Sequence, residues 1–442
     1  MTTGSPLKKV VLFSIPLIIG NLFQLLYNMV DTFIVGRTMG LEALAGIGAA
    51  GSVAFLILGF SQGFAAGLSI PIAQAYGARD YHKLQRSVLI NWILAIGVSL
   101  VMTTLSLLIL RPLLTLMNTP EAIINYTYQY LSIIFGWMII TVFYNILNNM
   151  MRSLGDSRTP LYFLIVAALT NIVLDYAFIV YLGWGVGGTA IATIMSQALA
   201  VALCLWAIRQ KWPILKLRLD VGIKKPELIY HLKIALPMAF QASIIAVGSI
   251  SITAALNALG PVAVAAYSAA QKVDQVVILI LMSFGVAMAT YVGQNFGARK
   301  FDRIRLGIKK VSMLSMAVAI MAGILLNVFG RQLVMMFVSG PDALLMVDYG
   351  RQYFLMNGPF YWVLALLFVY RYTLQGLGDS KIPTLAGFME LVMRVLAAFT
   401  LGPLIGFYGL AISSPLAWIG ATIPLAFTFH RRAHRLEELK SI

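Results

Sequence analysis

Four of the sixteen acidic residues, Asp31, Asp175, Asp274 and Glu390, fall well inside long apolar runs. A carboxyl in hydrocarbon costs on the order of a few kcal/mol, so such a residue marks an ion or substrate pathway unless a partner satisfies it. Gln24, Asn28 and Asp31 follow one another at i, i+4 and i+7 and therefore share one helix face. Asn171 and Asp175 stand at i and i+4, and Thr193 lies near the middle of the next apolar run. Carboxylates with amide and hydroxyl oxygens are the ligands a hard monovalent cation needs, which makes Asp31, Asn171, Asp175 and Thr193 a candidate Na⁺ site. Two nearby carboxyls also let such a site hold a proton near neutral pH, so the residue types do not choose between H⁺ and Na⁺. The plainer reading is that each aspartate hydrogen-bonds amides in helix packing, or that Asp31, near the end of its run, is wetted. Their co-occurrence with Asn171 in the same half favours the ion site.

The remaining intramembrane charges read differently. Glu390 and Arg394 are at i and i+4, the spacing of an internal ion pair. Asp274 shares a face with Gln271 and is either a structural polar contact or a cavity acid that attracts cations. Gln24, Asn28, Tyr130, Asn148 and Asp274 are the candidate residues of a substrate cavity. The 21 methionines and 24 phenylalanines fit a deformable apolar cavity, and fit ordinary helix packing as well. Cys204 is alone, which excludes an intrachain disulfide or a thiolate metal site. The four histidines fall at helix ends or in loops, and no glycine-rich phosphate loop with lysine is present, so no catalytic residues, no cofactor and no direct use of ATP are expected.

These residues need membrane-spanning elements to position them. The 442 residues are 60% hydrophobic and 11% charged, with mean hydropathy +0.87. A soluble domain carries about 25% charged residues, so the chain is a membrane protein rather than a water-exposed globule. Apolar runs predict twelve spans, near 10–36, 43–72, 87–111, 125–151, 160–182, 186–209, 229–258, 261–293, 308–336, 351–376, 383–404 and 407–430. The net charge of +16 would suggest nucleic acid in a soluble protein. Here twenty-five lysines and arginines, from Lys8 and Lys9 to Arg435 and Lys440, occupy one set of loops. Only Arg37, Arg111, Arg331 and Arg351 occupy the alternating set. The asymmetry predicts cytoplasmic termini, a multi-pass protein of the cell inner membrane and no nucleic-acid partner. No signal-peptide cleavage site is expected after the short polar segment Met1–Lys9.

The chain is also duplicated. Tyr76-Gly77-Ala78-Arg79 recurs as Phe296-Gly297-Ala298-Arg299, and Gly40 and Ala43 recur as Gly260 and Ala263. Leu154-Gly155-Asp156-Ser157 recurs as Leu377-Gly378-Asp379-Ser380, and Pro160 as Pro383. Each half holds an even number of spans, so the repeat is parallel. The predicted fold is an all-α polytopic membrane protein, with twelve transmembrane helices in two parallel-repeat six-helix bundles around a central cleft. The expected lobes are 1–210 and 229–442, joined by a basic interfacial connector over 211–228 that holds Pro213 and Pro226. The acidic cluster is not duplicated: Asp31 and Asp175 align near Ile252 and Ala398.

Taken as a set, these residues make the chain resemble the multidrug and toxic-compound extrusion (MATE) family, in its DinF-like branch. The resemblance covers nearly the whole chain and rests on Pro16, Asn28-Met29-Val30-Asp31-Thr32, Gly77-Ala78-Arg79, Leu154-Gly155-Asp156-Ser157, Asn171 to Asp175, Val273-Asp274-Gln275, Gly293-Gln294-Asn295, and Glu390 with Arg394. It implies an antiporter that admits H⁺ or Na⁺ and expels small cationic or amphipathic compounds, acting as a monomer in the lipid bilayer. The branch's cation site would fall on Asp31, Asn171 and Asp175, with Thr193 in a matching position and Tyr130 as a further contributor. The NorM-like branch favours a helix 7 glutamate where this chain has Gln241, which argues against that coupling site. The alternative within the same superfamily is a flippase for lipid-linked or polysaccharide precursors. Its pyrophosphate cargo wants several intramembrane arginines, and only Lys272, Arg371 and Arg394 are available here.

Overall fold

The computed structural model describes residues 1–337 and 341–438. Lys440, counted above among the loop bases, lies outside the described residues, as do the side chains of His434 and Arg435. The described residues form fourteen α-helices and no strand. The first seven are α1 (Pro6–Met39), α2 (Leu41–Gly77), α3 (Tyr81–Leu116), α4 (Glu121–Gly136), α5 (Met138–Ser153), α6 (Arg158–Tyr176) and α7 (Gly185–Gln210). The others are α8 (Lys225–Asn257), α9 (Pro261–Gly297), α10 (Phe301–Met335), α11 (Ala343–Asn357), α12 (Tyr361–Gly376), α13 (Lys381–Ile405) and α14 (Phe407–Glu438). Eleven helical segments are long and apolar enough to cross a membrane, and α4 with α5, bent by 56°, make a twelfth. The bend sits at Gly136-Trp137, where Trp137 leaves helical geometry at φ −108° and ψ 29° without any proline. Apolar content alone reads this stretch as one straight span.

The repeated motifs prove to be helix stops. Arg79 and Arg299 take the left-handed conformation, at φ 59° and 54°, at the ends of α2 and α9. The following N–H reaches back to an otherwise unpaired carbonyl in each: Asp80 to Ala75 at 3.0 Å and Lys300 to Asn295 at 2.8 Å. Gly155 and Gly378 do the same after α5 and α12, at φ 93° and 87°. The aspartates after these glycines are anchored alike in both halves. Asp156 Oδ2 accepts from Lys211 Nζ at 2.8 Å, from Trp212 Nε1 at 2.9 Å and from Thr159 Oγ1 at 2.7 Å. Asp379 Oδ2 pairs with Arg432 Nη2 at 2.7 Å. Each Gly-Asp turn thereby ties the start of the fifth span to the basic end of the sixth.

This anchoring carries a pH signature. Burial would raise the Asp156 carboxyl, but Lys211, Thr159 and Trp212 together outweigh it and hold it below its ordinary value of 3.8. A depressed folded-state value means the stabilisation is complete above that ordinary value and is lost as pH falls through the lower one. With Lys211 half-exposed, the contribution is about 1 kcal/mol. Thermal melts of purified protein should therefore show less loss of stability below pH 3.8 for Asp156→Asn than for wild type.

The chain packs as two compact units. One comprises Ile15–Ser243, and the other joins Met1–Ser14 to the chain from Ile244 onward. The division falls inside α1 and α8, whereas the duplication places its boundary in the connector. In the first unit a stripe of glycines explains why the opening turns of α8 belong there. Gly59, Gly63 and Gly67 repeat every fourth residue on α2 and let the backbone of Ala235 to Ala242 approach closely. A Cβ on Gly67 would stand 2.5 Å from Ala235 Cα. Gly67→Leu is expected to destabilise the protein by about 1–3 kcal/mol through overpacking, read as a lower melting temperature in detergent. The second unit uses the same device: Gly323 of α10 lies against the Gly358 carbonyl, just before Pro359 interrupts the path from α11 to α12.

Candidate functional site

Within the first unit, α1, α4, α6 and α7 bring six polar side chains together. Asp175 and Asn171, one turn apart on α6, are 0% and 1% exposed. Directly after Asp175 and Tyr176 the helix widens into a π-helical turn over Ala177–Tyr181, a departure often found beside functional residues. The Asn171 amide fits best with Nδ2 donating to Asp175 Oδ2 at 3.1 Å and to the Tyr27 hydroxyl at 2.8 Å. Its Oδ1 then accepts from the Thr193 N–H at 3.1 Å. The opposite orientation offers only a 3.4 Å contact with Thr193 Oγ1, so the first is the better satisfied. Tyr27 of α1 and Tyr130 of α4 stand beside Thr193 and the two aspartates.

The carboxyls of Asp31 and Asp175 lie within interaction range of one another. A proton shared between them would join the two. Asp31 Oδ1 and Asp175 Oδ1 are both buried without a hydrogen-bond partner among the described residues. Two carboxyl oxygens free to turn toward a common point, with hydroxyl oxygens beside them and an amide that can turn its own oxygen inward, can exchange a shared proton for a bare monovalent cation. Asp31, Asn171, Asp175 and Thr193, expected from the sequence to form one site, are gathered here. Tyr130, named from the sequence both as a cavity residue and as a further contributor to the cation site, stands in this cluster. Tyr27 was not anticipated, although it lies one turn before Asp31 and so on the same face.

The other candidate cavity residues disperse. Gln24 and Asn28 are exposed, and none of the described hydrogen bonds joins their side chains to the cluster. Asn148 is buried, with Oδ1 accepting a weak S–H contact from Cys204 at 3.6 Å. Asp274, in the second unit, is 1% exposed rather than open to a cavity. The hydroxyl of Tyr353 donates to its Oδ2 at 2.7 Å, and that of Tyr361 donates to Oδ1. The expected ion pair forms, with Arg394 Nη2 at 3.0 Å from Glu390 Oε1. A second arginine was not foreseen as a partner: Arg371 Nη2 lies 2.8 Å from Glu390 Oε2.

Comparison with known proteins bears on the family and the fold. A family model described as MatE matches residues 16–177 and 237–400, one segment in each half. A "Probable multidrug resistance protein YpnP" of Bacillus subtilis is 29% identical over 368 residues, 83% of this chain and 82% of that protein. A "Probable multidrug resistance protein YoeA" of the same organism is 28% identical, covering 76% of this chain and 74% of that one. Among solved structures, the crystal structure of MATE in the bent conformation superposes with TM-score 0.91 over 99% of this chain and 98% of its own, at 22% identity.

Proposed function

This chain belongs to the MatE family, whose members are transporters and not enzymes, and we propose that it is a secondary active multidrug efflux antiporter of the DinF-like branch. It exports small cationic or amphipathic compounds in exchange for H⁺ or Na⁺ by alternating access, as a monomer in the cell inner membrane with both termini in the cytoplasm. The multidrug resistance names of the two Bacillus relatives support the cargo class. The observation that carries the coupling is the contact between Asp31 and Asp175, with a partnerless oxygen on each.

In the proposed cycle the proton between the two carboxyls holds α1 against α6. Replacing it by Na⁺, or adding a second proton from outside, changes how the two carboxyls meet and with it how α1 packs. Asn171 and Thr193 keep their oxygens at the site in either state, and Tyr27 and Tyr130 exclude lipid from it. A coupling ion moves the equilibrium only by its differential affinity for the two arrangements, so the group that binds the ion must also be the one that holds the helix. Asp31, on α1, meets that requirement. The flippase alternative is not favoured. Of its three candidate cations, Arg371 and Arg394 are both paired with Glu390, far short of the several free arginines a pyrophosphate needs.

The test is transport of a fluorescent organic cation by purified protein in liposomes under an imposed pH or Na⁺ gradient. Wild type should respond to one gradient, which names the ion. Full gradient-driven transport by Asp31→Asn would refute the coupling site.

A further inference from the structure

We propose that the Arg371–Glu390–Arg394 cluster of the second half binds one oxyanion, the carboxylate of an amphipathic substrate. The proposal rests on the export reading above and adds a substrate class to it. Arg371, Glu390 and Arg394 are 4%, 6% and 8% exposed, on helices α12 and α13. Two guanidiniums share a single carboxylate, so the cluster carries one surplus positive charge. Glu390 is already divided between them, giving Oε2 to Arg371 and Oε1 to Arg394. Neither arginine therefore completes the two-pronged fork that guanidinium makes with an oxyanion.

The unused donors are visible. Nε of Arg371 and Nε of Arg394 are both buried and have no hydrogen-bond partner among the described residues. A guanidinium does not shed its proton to escape this situation, whereas a buried lysine or histidine can. Nor does the other buried acid of this half balance the charge. Both oxygens of Asp274 are taken by the hydroxyls of Tyr353 and Tyr361, and no ion pair among the described residues joins it to either arginine. An uncompensated charge in a medium of low polarity is costly, and an arriving oxyanion supplies the missing charge and the missing acceptors together.

The surroundings favour an anion carried on an apolar body. Gly248 of α8 faces Arg394, and a Cβ there would come 3.3 Å from Nη1 and 3.5 Å from Leu391 Cδ1. That guanidinium thus lies directly against bare backbone, with a leucine next to it. Tyr267 of α9 is close enough to Arg394 to feel its charge. A guanidinium pair with aliphatic and aromatic neighbours suits an amphiphile that carries a carboxylate better than a free inorganic ion.

The test uses two dyes that differ only in this respect, a rhodamine free acid and its methyl ester. Their binding to purified full-length protein is followed by fluorescence polarisation, with benzoate as competitor. Arg371→Gln leaves a neutral Glu390–Arg394 pair and should weaken binding of the free acid by about tenfold, the effect of about 1.4 kcal/mol, while the ester changes little. Arg371→Lys restores the charge and should recover most of that loss. Equal weakening of both dyes in Arg371→Gln would mean that the cluster is only structural. Should Arg371→Gln yield no folded protein, wild type decides: benzoate displacing the acid but not the ester supports the site, and no displacement overturns it. Binding is read without any gradient, so failure of the export reading appears separately, as absence of gradient-driven dye movement in liposomes.

Discussion

Asp175→Asn should sharply slow gradient-driven export while leaving a folded protein that still binds substrate. The amide has the size of the carboxyl and can keep a hydrogen bond to Asn171, so the packing of α6 survives. What disappears is the capacity to hold a proton or a cation opposite Asp31. Coupling between two ligand sites is typically worth about 1–3 kcal/mol, so its loss should slow driven transport by about 5- to 150-fold. Liposome flux under the effective gradient measures this, and dye binding in detergent checks that the cavity is intact. Asp31→Asn should behave the same way, because the shared proton needs both carboxyls. A variant that binds dye normally and still accumulates it against its gradient would show that the cluster only packs helices.

Glu390→Gln should be the most destabilising single change among the polar residues of the second half. It leaves Arg371 and Arg394 charged, buried and without a carboxylate. Removing one partner from a buried ion pair costs about 3–5 kcal/mol, and here one acid serves two bases. Arg371→Gln should cost distinctly less, since the Glu390–Arg394 pair remains. The order of the two melting temperatures in detergent is the measurement. A Glu390→Gln protein as stable as Arg371→Gln would mean that another group neutralises the arginines.

Much of the architecture was legible because hydrocarbon leaves few choices. Runs of about 20 apolar residues must be helices, and the described residues hold eleven such helices, or twelve with the bent pair α4–α5 taken as one span, where twelve were expected. The bend at Trp137 was hidden, since neither a proline nor a polar residue announces it. The ion site was legible in its carboxyls and amide, which are rare and expensive in such runs. Tyr27 was not, because one tyrosine among 19 gives no signal until its hydroxyl is seen beside Asn171. Glu390 and Arg394 declare themselves by spacing on one helix. Arg371 lies on another, and only the packing of α12 against α13 puts it within reach. The tyrosines around Asp274 were hidden for the same reason: residues 79 and 87 positions away cannot be read from local periodicity.

The placement of the unit boundaries inside α1 and α8 has a consequence for synthesis. The segment Met1–Ser14 packs with partners that the ribosome makes last: Lys300 Nζ donates to the Thr2 carbonyl at 2.8 Å, and Arg303 Nη1 to that of Gly4 at 2.8 Å. The opening turns of α8, in return, complete a unit whose other helices precede them in the chain. Each half thus lends the other a stretch of chain. Neither can finish folding as an independent product, and assembly must wait for residues beyond the point where the duplicated gene segments meet. Two separately expressed halves cut within 211–228 would therefore depend on each other for completion, and their recovery should rise together on co-expression.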